Sequence, residues 1–514
     1  MSKGVKLLFF LAILFTTVIF LAGCGGDTNQ SETGRQELII GVGRDFFYGP
    51  ESSSYVHGST GVWESLTYLD ENLAPYPLLA KKLVPEDAAK IWTVHLRENV
   101  RFHDGTPLNA EAVIQSVMRF KNNLQFDEYG TFQNLNKVEA LGDDRVRFTF
   151  SVPEPAFPAK VAYHGCPIFS LSSFDSEGKI VSPIGTGPFK FAGYKSGEEL
   201  EIIHNNDYWG DKPRLERVLF KVIPDPFTRL AALKTGEVQA VVDVGGILPE
   251  QASAIKEDGN LKLLSRMVTT SHYLLFNNQK PPFDDPGVRR SVSLLIDRGE
   301  LVNQLLHVYG KPAEEVFTSM AEAWTVDGLW KSDHEKAETL AAQVKNAGSH
   351  KVILAVNSAL ANRWPYKPIA EVMQSKLKTF GFEVDLQVME TGAWKEALKN
   401  GNYNLSLTPY TLMTGDPDFF FGRWIHSEGQ MNRQRGLGYS NPEADKLVEI
   451  AGSEADETKR QAYYSILQEL VARDAPLSPL FHDVCLYAVR KEVKGLTMDP
   501  FFKPSLDKAW VEEG

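Results

Sequence analysis

Apolar and polar positions alternate along this chain in two periods, and the switch between them reads as an α/β protein. In KIWTVHL, Trp92, Val94 and Leu96 alternate with polar neighbours, the period of a half-buried strand. Asp104-Gly105 then marks a turn, and Asn109 stands ahead of AEAVIQSVMRF in the position of a helix N-cap. ELIIGVG (37–43) predicts a strand, and KVEALGDDRVRFTFS predicts two strands around a turn at Gly142, Asp143 and Asp144. PIGTGPFKFAGY, from Pro183 to Tyr194, predicts a glycine-proline corner that feeds another strand.

From Arg217 the pattern becomes strand then helix. RVLFKVIPD predicts a strand, and FTRLAALKTG a helix closed by Gly236, a residue suited to the left-handed position after a helix. VQAVVDV predicts a strand, and DDPGVRRSVSLLIDRGELVNQLL two helices parted near Asp297. KVILAVNS, IAEVMQSKLKTF ending at Gly381, and FEVDLQVM read as strand, helix, strand. Helices NPEADKLVEIAG and ETKRQAYYSILQELVARD precede a last long strand, PLFHDVCLYAVR. Strands alternating with helices imply sheets closed by crossover connections. The length allows two or three domains at about 100–200 residues each.

The start of the chain sets the compartment. A basic MSKGVK, an apolar LLFFLAILFTTVIF and the small residues of LAGC follow one another in the order of an export signal. The apolar run approaches the roughly 18 residues that could span a bilayer. LAGC decides against a span, because it is similar to a bacterial lipobox. In a lipobox, cleavage precedes the cysteine, here Cys24, and acyl chains then hold the protein at a membrane. Residues 25–36 read as a flexible tether, polar and glycine-rich.

The formal net charge is −12, and removal of Lys3 and Lys6 with the signal makes it more negative still. That balance argues against nucleic acid as a partner. Cys166 and Cys485 either pair in an oxidising compartment or remain two buried thiols. Motifs of catalysis are missing. There is no G-x-S-x-G elbow, and HEKAE at His334 lacks the second histidine of a zinc helix. In PIGTGPF a proline follows GTG and removes a backbone donor that a phosphate loop would need. HSEGQ at His426 is followed by no P-C-x-x-C.

Beyond these local readings, an ordered set of stretches carries a resemblance. LAGC, LLAKKLVPEDAAKIWTVHLRENVRFHDGTPLNAEAV, SPIGTGPFKF, NNDYWGDKPRLERVLFKVIPDPFTRLAALKTGEVQAV and FDDPGVRRSVSLLIDRGELV resemble the peptide/nickel class of extracellular solute-binding proteins, the receptors of ABC importers. The resemblance runs from about Glu37 to the C-terminus. It implies a two-lobed α/β fold of the type II periplasmic-binding-protein kind, with an extra subdomain in the first lobe and hinge strands between lobes. The expected boundaries are signal 1–24, tether 25–36, first lobe 37–275 with a subdomain at about 76–182, second lobe 276–477, and a return to the first lobe over 478–514. It also implies a monomer that is no enzyme, anchored by lipid on Cys24 at the extracytoplasmic face and partnered by permease subunits. No intrinsic cofactor is expected.

The resemblance frames the ligand as well. Peptide-binding members hold the peptide amino terminus with a carboxylate just ahead of a GDPD-type turn, and that position falls at Met413. A thioether cannot hold an ammonium as a carboxylate does. The NNDYWGDKPRLERVLFKVIPDPFTR stretch is most similar to nickel-type members, which take nickel as a complex with histidine or a metallophore. The implied cargo is therefore a nickel chelate, with an oligopeptide or dipeptide as the alternative. Nickel favours imidazole and carboxylate ligands. His426 then reads either as a metal ligand facing the cleft or as a solvated loop histidine. His57 in YVHGSTGVW and His164 in AYHGCPIFS are further cleft candidates. Arg433 and Arg435, with Asn432 beside them, read as partners for chelate carboxylates or as a basic loop. Tyr410 reads as a wall of the site or as packing. His103, Tyr208 and Trp209 read as structural.

Overall fold

One sheet of eleven strands ties the two ends of the chain together. The computed structural model describes residues 36–45, 61–122, 130, 132–162, 166–345 and 350–513. Cys24, the tether up to residue 35, His57 and His164 lie outside the described residues. In spatial order the strands are Phe189–Lys195, Glu199–His204, Arg217–Val222, Glu37–Val42, Ala240–Val241, Leu477–Arg490, Leu261–Phe276, Leu405–Thr411, His350–Asn357 and Phe382–Met389; Gly310–Pro312 pairs with Leu477–Arg490 to the side. In the first lobe Glu37–Val42 lies parallel to Arg217–Val222, with Glu37 opposite Arg217. In the second lobe His350–Asn357 lies parallel to Phe382–Met389.

Two long antiparallel strands join these halves. Leu261–Phe276 pairs with Leu477–Arg490 in both lobes, but the register slips midway. Met267 faces Val484 and Ser271 faces His482, so Val268, Thr269 and Thr270 stand against Asp483 alone. Extra residues on one strand bend it and raise its local twist. The ladder of the two strands that join the lobes is therefore irregular at this point. Leu261–Phe276 is the central element that periodicity does not announce. Its residues Val268 to Phe276 are buried throughout, so no face alternates.

The predicted caps and turns form. Asn109 Oδ1 accepts the Ala112 N–H at 2.9 Å. Asp225, Asp285 and Asp297 cap their helices in the same way. Gly236 ends its helix at φ 84°. The first-lobe subdomain is a four-stranded antiparallel sheet in the order Ala80–Glu86, Ile91–Leu96, Arg145–Phe150, Leu135–Ala140. Helix Ala110–Asn122 covers it with Val113, Val117 and Phe120, which share a core with Val94 and Phe148.

The motifs that carry the resemblance meet where this subsheet joins the main sheet. A Cβ on Gly185 would lie 2.1 Å from the Val62 oxygen, and one on Gly187 2.0 Å from the Gly61 oxygen. GTG is therefore a close approach of two backbones, which only glycine permits. His103 Nε2 sits 3.0 Å from the Gly187 oxygen, and burial lowers its pKa to about 4, so the ring is neutral and donates there. Glu64 accepts from the Tyr208 hydroxyl at 2.7 Å, Trp209 Nε1 at 2.8 Å and the Thr186 hydroxyl at 2.7 Å. His103, Tyr208 and Trp209 are structural, as expected. Cys166 lies in the subdomain core and Cys485 on a hinge strand; both are buried and form no disulfide, which resolves the alternative in favour of two buried thiols.

Candidate functional site

In open α/β sheets ligands bind outside the carboxyl ends of the parallel strands. In both lobes those ends converge on the hinge. In the first lobe, Gly43 and Arg44 follow Glu37–Val42, and Asp243 follows Ala240–Val241. Asp243 accepts the Gly43 and Val244 N–H groups at 3.2 and 2.7 Å and the Arg44 guanidinium at 2.9 Å. Arg44 lies 5.8 Å from the centroid of the Phe502 ring. The next residue, Lys503, is buried, and burial together with Arg44 pushes its ammonium well below the ordinary lysine value. This turn reaches the hinge itself, where the Thr269 N–H donates to the Pro500 oxygen at 2.9 Å.

The floor is formed by Asp483, opposite the slip in register. It accepts Trp364 Nε1 at 3.0 Å and the Cys485 thiol at 3.6 Å. Trp364 belongs to the second lobe, so this bond ties hinge to lobe. His272 stacks on Phe481 at 4.0 Å and meets the Tyr366 hydroxyl through Nδ1 at 2.7 Å. His482 meets the Ser271 hydroxyl at 2.8 Å. Burial lowers the pKa of both rings, that of His482 to about 3, so both are neutral in the hinge.

The second-lobe wall follows Leu405–Thr411. Tyr410 stacks on Phe419 at 5.6 Å and donates its hydroxyl to the Phe419 oxygen at 2.7 Å. Met413 is buried beside it in one apolar cluster. The turn that follows is tied down by Asp416, which holds Arg460 at 2.6 and 2.7 Å and accepts the Asp418 N–H at 2.9 Å. The lobes touch here. A Cβ on Gly415 would lie 2.6 Å from that of Leu73, and Lys160 of the subdomain reaches Asp418 at 2.8 Å. On the other side, Gly245 packs against the Arg363 backbone.

Tyr410 and Met413 thus belong to the apolar cluster through which the second lobe meets the first. Of the remaining candidates, those among the described residues, His426, Asn432, Arg433 and Arg435, lie elsewhere on the second lobe. His426 Nδ1 accepts the Glu428 N–H at 3.1 Å, which puts the ring proton on Nε2, 3.5 Å from Glu449. Among the described residues, its hydrogen-bond partners Glu428, Glu449 and Asn432 belong to the second lobe. Asn432 and Arg435 both pack within the second lobe. Asn432 is buried and staples the loop, donating to the His426 and Tyr439 oxygens at 3.1 and 2.8 Å. Arg435 lies 4.6 Å over Trp394. Arg433 is exposed and pairs with Glu428. Asn432 and Arg433 line an open recess of about 730 Å³ with Lys280 and Lys399, at the end of the second lobe where Leu261–Phe276 runs out into Asn277. Among the described residues, no group of three or more His, Cys, Asp or Glu is placed to hold a metal ion.

Arg44, Asp243, Asp483, Trp364 and Lys160 were not singled out by sequence. Asp483 did leave a signal, as the one acid in a long and mostly apolar strand. Arg44 left a weaker one, as a charge just past a strand end.

Residues 74–432 match the bacterial extracellular solute-binding proteins, family 5 middle. The chain is a family 5 extracellular solute-binding protein. Family 5 proteins bind solutes for transport and work with ABC importer permeases. This one is 27% identical over 469 residues to the dipeptide-binding protein of Escherichia coli (strain K12), covering 85% of this chain and 86% of that protein. It is 28% identical over 440 residues to the probable D,D-dipeptide-binding periplasmic protein DdpA of the same strain, covering 83% and 82%. NikA from Brucella suis in complex with Fe(III)-EDTA aligns with a TM-score of 0.82 at 22% identity, over 93% of this chain and 100% of that one, which speaks for the fold. The two-lobed architecture is that of the family. Among the described residues no helix is long and apolar enough to cross a membrane.

Proposed function

We propose that this receptor is held at the outer face of the cell membrane by lipid on Cys24 and captures a small amino-acid-derived solute bearing a carboxylate. Short peptides are the leading case. It then delivers the solute to an importer permease. The observation that carries this reading is Arg44, a guanidinium fixed by Asp243 just past the carboxyl end of the first-lobe strand Glu37–Val42. Guanidinium groups match carboxylates in geometry and charge. The relatives named for dipeptides point to the same chemistry.

Calorimetry with peptides of two to five residues, each as free acid and as C-terminal amide, tests it. A hydrogen bond to a charged group contributes about 1.5–3 kcal/mol. Amidation, or Arg44→Gln, is therefore expected to weaken binding by about ten- to a hundredfold. Amides that bind as tightly as acids would overturn the carboxylate reading.

A nickel chelate of histidine or a metallophore is the second reading. It is favoured by the second-lobe wall, where Met413 offers a thioether and Asp416 and Asp418 already hold Arg460 and Lys160. Such a wall suits a ligand without a free ammonium, and chelate carboxylates would meet Arg44 equally. Nickel with histidine, against nickel alone and against the peptides, distinguishes the two readings.

A further inference from the structure

We propose that Lys160 is the lock of the interlobe seam and thereby a specificity determinant: the chain's own ammonium bridges the lobes, so closure draws on no cationic group of the ligand. Lys160 ends the short helix Phe157–Lys160, which belongs to the first lobe. Phe157 anchors that helix in the subdomain core, 4.8 Å from Phe148 and 5.2 Å from Phe150 between ring centroids. The Thr67 hydroxyl holds it again, donating to the Pro158 oxygen at 2.6 Å. The ammonium lies 2.7 Å from Glu154, on its own lobe, and 2.8 Å from Asp418, on the other. The three side chains are only 11%, 4% and 17% exposed.

The surroundings decide what this bridge does. Leu69, Leu73, Ala159 and Ala162 of the first lobe share one apolar cluster with Met413 and Phe420 of the second. An ion pair in such a seam stays weakly screened, and breaking it leaves charge to be rehydrated. Glu154 stays with Lys160 when the lobes part, whereas Asp418 loses its direct ion pair and keeps only the more distant Arg460 charge. The Asp418 bond is thus the part of the triad specific to closure. The second acid of that turn, Asp416, is fully engaged by Arg460, so neither acid is left to receive a ligand ammonium. The inference about ligand preference rests on reading this cleft as the ligand site; the inference about closure does not.

Small-angle scattering on ligand-free protein tests the lock without any ligand. Lys160→Met is expected to give a larger radius of gyration than the parent. Asp418→Asn cuts the bridge from the other lobe, leaves Lys160 with Glu154, and is expected to do the same. If Lys160→Met fails to fold, the Asp418→Asn result decides. In Lys160→Ala, Glu154 and Asp418 face a space shaped for an alkylammonium. Added n-propylammonium should restore the parent radius and thermal midpoint, and tetramethylammonium should not. An unchanged radius in Asp418→Asn, or equal effects of the two amines, would overturn the lock. For specificity, peptides with a free amino terminus should gain about tenfold over their N-acetyl forms in Lys160→Ala relative to the parent. No gain, with closure still lost, would overturn the ligand inference and leave the lock standing.

Discussion

Glu64 offers a sharp test of how the subdomain is joined to the first lobe. It is 9% exposed and accepts hydrogen bonds from Tyr208, Trp209 and Thr186. Burial nevertheless raises its pKa from 4.5 to about 7, against the pull of those three bonds and of the Arg97 charge. Between these values the folded chain keeps a proton that the unfolded chain has released. Stability contributed by this group is thus fully present below about pH 4.5 and is lost as pH rises through about 7. Each pKa unit is worth about 1.4 kcal/mol, so about 3 kcal/mol is tied to pH here. Glu64→Gln removes the titration and keeps the bonds: the amide oxygen can accept from Thr186 and Trp209, and its NH₂ can donate to the Tyr208 hydroxyl. Urea unfolding, followed by tryptophan emission at pH 5 and pH 8, should show the variant gaining on the parent by up to about 3 kcal/mol toward the higher pH. A parent–variant difference that stays constant across that range would refute a raised carboxyl at this junction.

Two further outcomes follow from geometry and from sequence. Gly187→Ala should abolish folding or strongly lower the thermal midpoint, because its Cβ would meet the Gly61 oxygen at 2.0 Å, whereas Gly193→Ala, with nothing within 4 Å, should change it by less than about 1 kcal/mol. Cys24→Ala should move the protein from the membrane to the soluble fraction on cell fractionation, and retention by the membrane would argue for a span instead.

Much of the fold was legible because local chemistry decided it. Asn109, Asp225, Asp285 and Asp297 sit where orphaned helix N–H groups need an acceptor, and Gly236 where a left-handed residue is required. Trp92, Val94 and Leu96 report one buried face of a strand by their spacing alone. The hinge was not legible in the same way. Leu261–Phe276 mixes Ser, Arg, Thr and His with its apolar residues, and its second half is buried on both faces, so no period marks it. Nor does any spacing announce that three of its residues stand against Asp483.

The sequence by itself determined the ordered motifs, the family they resemble and most element boundaries, since these depend on neighbours within a few residues. Tertiary structure decided which side chains meet. It brought Lys160 to Asp418 across 258 positions of chain, and it set Arg44 on Asp243 and Trp364 on Asp483. It also set Asn432 to holding its own loop and laid Arg435 over Trp394 of a neighbouring helix, although their types suit a ligand equally well. The reason is physical: an ion pair or a staple depends on distance in space and on the desolvation around it, and neither is encoded in the local pattern of apolar and polar residues.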